Sequence, residues 1–148
     1  MIRQARVQAE QGFNQWRRER RQETYAALLS ACDAVHDALN TVIGHILAGD
    51  PPQDDEQRAE AWRALNGALR GVDRAQRTAA VVGPLDVTNR AADLRRALYA
   101  VVSVWRELPR PPADQLAINA ANARQAWELA EAHFLTAVWQ VTQTFDAD

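Results

Sequence analysis

The chain is poor in the residues that would give it an easy chemistry. It has one cysteine, six glycines and six prolines in 148 residues, every basic side chain is Arg, and no apolar run is long enough to cross a bilayer. The single thiol, Cys32, excludes an intramolecular disulfide. With no Cys/His cluster at zinc spacing, it points to a reducing, cytoplasmic setting. The N-terminus lacks the short apolar core of a secretion signal, so export by that route is not expected. The absence of Lys fits a biased coding composition and identifies no chemistry. Sparse Gly and Pro, frequent Ala and singly scattered β-branched residues disfavour a sheet, because Ala loses no side-chain entropy in a helix. The expected class is all-α.

A chain of 148 residues can bury one core without staples but is short for two. Its formal charge of -2 excludes a uniformly basic coat of the kind that packages nucleic acid, yet the charge is unevenly spread. Residues 1–23 carry six Arg and three Glu, a local +3, which leaves -5 for the remainder.

Three stretches interrupt the helical pattern: "AGDPPQDD" at 48–55, "VVGPLD" at 81–86 and "ELPRPPAD" at 107–114. Each joins a stop to a start: Gly accepts the left-handed residue after a helix, Pro cannot continue one, and Asp caps the next. Four helices are therefore expected at roughly 4–48, 54–81, 85–107 and 114–145. Spacings of three and four support them. They run through Tyr25, Leu28, Cys32, Val35, Leu39, Val42 and Ile46 in the first helix, and Val87, Ala91, Leu94, Leu98, Val101, Trp105 and Leu108 in the third. The fourth reads Leu116, Ala120, Ala123, Trp127, Ala130, Phe134, Ala137 and Val141, and the second, more weakly, Trp62, Leu65, Leu69, Val72, Gln76 and Ala79. One apolar seam per helix and short connections predict an antiparallel up-down-up-down four-helix bundle. The first helix outruns the others, so residues 1–22 are expected as a basic extension continuous with it and 23–148 as the bundle domain.

That extension contains "QWRRERRQETY" (15–25). Trp16 precedes Tyr25 by nine residues, a rotation that places it opposite the core seam, with Phe13 on the same side. Two outcomes follow from this off-seam pair. Either Phe13 and Trp16 fold onto Trp139 and Phe145 at the far end of helix four and lengthen the core, or they anchor another copy or another helix. Arg17, Arg18, Arg20 and Arg21 spread around the helix, and Glu19 and Glu23 interrupt them. That distribution gives salt-sensitive, nonspecific contact with phosphates and little sequence readout, while Glu–Arg pairing at helical spacing makes a solvated face. The apolar side of the arm is too small to hold a lipid surface.

"RRQETYAALL" (20–29) together with "VVGPLDVTNRAADL" (81–94) resembles small, uncharacterised, Ala/Arg-rich helical proteins of actinobacteria. The resemblance implies a helical fold. It carries no catalytic residue. Several such proteins have a membrane-spanning helix before the basic segment, and this chain has no counterpart.

No catalytic constellation is found. Helical bundles host di-iron centres through an acid three residues before His on two helices, but Asp33–His36 is the only such pair, and the three histidines do not converge, so no metal or other cofactor is expected. His36 is expected partly buried beside the seam and hydrogen-bonded to a neighbour. Cys32 is expected as an inert seam residue with a raised pKa. Gly67 and Gly71 suggest a close helix approach or a bend. The small side chains of "AINAANARQAW" (117–127) permit either a close neighbour or a pocket beside Trp127 and Trp105. The expectation is a non-catalytic protein-association module that associates with itself through Phe13, Trp16, Arg17, Arg18, Arg20, Arg21, Trp139 and Phe145. The alternatives are nonspecific nucleic-acid binding through the Arg arm, or an apolar ligand between helices.

Overall fold

A computed structural model describes residues 2–49 and 55–146, and the side chains of 3–49 and 55–141. The described residues form four α-helices and no strand: α1 (Ile2–Ala48), α2 (Asp55–Val82), α3 (Leu85–Arg106) and α4 (Ala113–Asp146). At the usual rise these are about 70, 42, 33 and 51 Å long. Gly49 ends α1 with φ +60, the left-handed conformation that a residue without Cβ adopts at no steric cost. Asp55 and Glu56, Asp86, and Asp114 lie in the first turns of α2, α3 and α4, where a carboxylate favours the positive end of the helix dipole. Asp86 does not cap α3 as the sequence suggests: Pro84 occupies that position, and its carbonyl accepts from the Thr88 amide at 3.0 Å.

The four seams meet in one core. Phe134, Leu28, Leu65, Leu94, Leu98, Val35, Val72 and Val87 are among its fully enclosed members. Removing one such aliphatic or aromatic side chain from water is worth about 1.5–3 kcal/mol. Near the α2–α3 junction Tyr25 and Phe134 meet edge to face, centroids 6.0 Å apart. Ala61 and Val102 also belong to the core, beyond the expected seams. Leu108 does not: α3 stops at Arg106, and Leu108 is exposed in the following loop.

The closest helix pairs are α1 with α2 and α3 with α4, with a lighter α2–α3 contact. Asp73 of α2 binds α3 by accepting from Arg95 Nε at 2.6 Å and from the Tyr99 hydroxyl at 3.0 Å, and Arg106 donates to Asn66 nearer the other end. Arg95 also lies over the Tyr99 ring at 4.6 Å. Among the described residues, α1 and α4 meet through long side chains more than through close backbones. Tyr25 touches Phe134, and His36 touches Trp127 at 4.8 Å. Gly67 and Gly71 mark no close approach, since a Cβ at Gly67 would meet only an Arg70 side-chain atom at 3.8 Å and one at Gly71 nothing within 4 Å.

Candidate functional site

Every residue from Arg3 to Arg20 is exposed, and burial begins at Arg21. Within that stretch Phe13 and Trp16 stack on each other with centroids 6.1 Å apart, and the Arg17 guanidinium sits 5.7 Å from the Phe13 ring centre. Phe13 is 56% and Trp16 58% exposed, and Trp139 is 60% exposed on α4. Packing of the arm aromatics onto Trp139 as a core extension is therefore not what these side chains do. Phe145 lies in the backbone span of α4, but its side chain falls outside the described residues. Arg17, Arg18 and Arg20 are exposed with the aromatics.

Arg21 separates from its neighbours. It is buried, and its Nε donates to the Val82 carbonyl at 2.9 Å, satisfying an orphan acceptor at the end of α2. The next residue, Gly83, comes so close to α1 that a Cβ would lie 2.9 Å from the Tyr25 hydroxyl. Arg21 thus fastens α1 to α2, and the exposed stretch ends one residue before it. On the same side of α1, Arg20, Glu23, Thr24 and Ala27 line a shallow hollow with Ala75 and Thr78 of α2. Phe13, Trp16 and Arg20 continue that row at spacings of three and four, so the aromatic pair lies in line with the margin of the α1–α2 contact, off the core seam.

A second feature lies between α1, α3 and α4. Here the helices leave a groove of about 800 Å³ whose lining includes Leu39, Ile43, Trp105, Ala120 and Trp127. The small side chains of the "AINAANARQAW" segment create this space. Asp33, His36, Glu128, Glu131 and Arg124 bring polar groups to it. Arg124 Nε is 3.4 Å from Glu128 one turn on. His36 departs from expectation: its Nε2 is buried with no hydrogen-bond partner. Burial lowers the His36 pKa below its ordinary 6.5, opposed by the nearby Asp33 and Glu131 carboxylates. The adjacent Cys32 thiol, enclosed in the core and facing the same carboxylates, is pushed up to about 12, as expected of an inert seam cysteine. Rows of three and four, Asp33–His36–Asn40–Ile43 on α1 and Ala120–Arg124–Trp127–Glu131 on α4, were the signal in the sequence for this groove.

Among the described residues, no group of three or more His, Cys, Asp or Glu could hold a metal ion, and no helix is long and apolar enough to cross a membrane. Fold and surface define an all-α helical-bundle protein with an exposed aromatic and basic helix end and a polar-rimmed groove. No known protein family, curated protein or solved structure matches it.

Proposed function

We propose that the protein is a non-catalytic helical association module that binds a second copy of itself through the N-terminal end of α1. One observation carries this reading: a stacked Phe13–Trp16 pair, more than half exposed and flanked by Arg17, lies on a stretch in which every side chain from Arg3 to Arg20 is exposed. Aromatic and Arg side chains dominate the energetics of protein contacts, the aromatics because they bury large area at low entropic cost and Arg because its planar fork makes several directed contacts. The pair lies in line with the margin of the α1–α2 contact, so a helix docked there covers surface that the bundle itself leaves open. In this reading the four helices run up, down, up and down, the overhang ends at Arg20 and not at residue 22 because Arg21 is buried against α2, and Trp139 contributes from α4. A cytoplasmic setting fits the single, buried cysteine.

The test is the solution mass by light scattering over a concentration series, for the full chain, for a chain beginning at Arg21, and for the F13A/W16A variant. The shortened chain keeps Arg21 because its bond to Val82 belongs to the bundle. The full chain is expected as a dimer or larger, and both altered chains as folded monomers. Equal masses for all three would remove the reading. If the full chain is monomeric and instead binds duplex DNA with affinity that falls steeply as salt rises, the exposed Arg residues serve phosphates.

A further inference from the structure

The groove between α1, α3 and α4 has no role in arm-mediated association and combines three features that ordinary helix packing does not require. It is large: about 800 Å³ falls within the range of roughly 300–1,000 Å³ typical of small-molecule sites. Its lining mixes apolar and polar side chains, with Trp105 and the nearly covered Trp127 set among aliphatic and Ala residues on one side. Its polar groups are unbalanced in sign. Three carboxylates, Asp33, Glu128 and Glu131, face one guanidinium, Arg124, and that guanidinium is near Glu128. Asp33 and Glu131 have no ion-pair partner among the described residues, and both lie near enough to His36 for their charge to act on its ring.

We propose that this groove binds small organic cations with a flat aromatic body, the charged nitrogen drawn by the Asp33 and Glu131 carboxylates at its rim and the rings lying against Trp105 and the edge of Trp127. An ammonium N–H donates to the carboxylates, while the aromatic body displaces water from apolar surface. Indole faces attract cations electrostatically, and that attraction grows as water is excluded. An anion would meet two carboxylates with no free countercharge beside them. A neutral ligand would gain the apolar contact alone and leave the two carboxylates as they are. A bare metal ion is disfavoured, since the acids and histidine do not converge as a coordinating set among the described residues. The site needs no residue of the exposed arm, so it stands or falls separately from self-association.

The test is isothermal titration of the full chain near neutral pH with three probes that share one ring system: 2-(1-naphthyl)ethylammonium, 2-(1-naphthyl)ethanol and 1-naphthylacetate. The cation is expected to bind about tenfold or more tighter than the alcohol, the effect of two partly exposed carboxylates, and the acetate more weakly than either. In the D33N/E131Q variant, changed only at the groove rim, the cation's affinity is expected to fall to that of the alcohol, with the alcohol unaffected. Trp105→Leu is expected to weaken the cation and the alcohol together. Thermal melts of each variant establish that it is folded. The proposal is overturned if the wild-type chain binds none of the probes, if cation and alcohol bind equally, if the acetate matches the cation, or if D33N/E131Q keeps the preference for charge.

Discussion

Replacing Gly83 by Ala probes the joint where the exposed part of α1 enters the bundle. A Cβ at this position would lie 2.9 Å from the Ala79 carbonyl oxygen and 2.9 Å from the Tyr25 hydroxyl, well inside the separation of about 3.5–4.0 Å at which non-bonded carbon contacts are favourable. Neither neighbour gives way cheaply. The Ala79 oxygen already accepts from the Gly83 amide at 2.9 Å, and Tyr25 is enclosed in the core with its ring edge-on to Phe134. Overpacking of this kind costs about 1–3 kcal/mol. A second substitution apportions the cost. Tyr25→Phe removes a hydroxyl that is buried without a hydrogen-bond partner, so alone it should leave stability unchanged or raise it by about 1 kcal/mol. In that background one of the two clashes is gone, and Gly83→Ala should cost roughly half as much, a coupling on the order of 1 kcal/mol. Urea unfolding of the four proteins reads both numbers from shifts in midpoint at constant slope. Gly83→Ala within about 0.5 kcal/mol of the parent, or an identical cost in both backgrounds, would refute the close α1–α2 approach described above.

Three further perturbations separate the structural charges from the exposed ones. Arg21→Met should cost about 1.5–3 kcal/mol because it removes a charged donor from the buried Val82 carbonyl, whereas Arg17→Met, on the exposed stretch, should change the unfolding midpoint little; equal effects would deny Arg21 its fastening role. Burial tends to raise the Asp73 carboxyl, but hydrogen bonds from Arg95 and Tyr99 outweigh it and hold the group below its ordinary 3.8. Its stabilising contribution is thus complete above the unfolded pKa and lost as pH falls through the lower folded value. Asp73→Asn should therefore flatten the acid limb of the stability–pH profile below about pH 4 and cost about 1 kcal/mol at neutral pH, the scale of a partly exposed pair; an unchanged acid limb would count against the α2–α3 clamp. Cys32, raised from 9.0 to about 12, should resist iodoacetamide in the folded chain and react at an ordinary rate in urea, and rapid alkylation of the native protein would place the thiol outside the core.

What could be read from the sequence alone depended on whether the determining pattern lay within one helix. Tyr25, Leu28, Cys32, Val35, Leu39 and Val42 repeat at spacings of three and four, and all six are buried. Their seam needs only the helical period and the removal of apolar surface from water. The same period set Phe13 and Trp16 off that seam but left open whether they fold onto Trp139 and Phe145 or stay exposed, a choice that depends on where α4 lies. Arg21 could not be told from Arg17, Arg18 and Arg20 by composition, since its burial depends on where α2 ends, and that end is fixed by Gly83 and Pro84, about sixty residues later in the chain. The groove has the same origin in relations between helices. Its carboxylates and indoles sit at ordinary helical spacings, and the unpaired His36 Nε2 results from how α1 and α4 meet. The small side chains after Ala117 admitted both a close neighbour and a cavity, and only the relative placement of α1, α3 and α4 distinguishes them. Core residues are specified by repetition along the chain, whereas a binding surface is specified by coincidence between segments. The coincidence at Asp33, His36, Trp127 and Glu131 puts uncompensated negative charge beside aromatic surface, an arrangement that core packing alone does not demand.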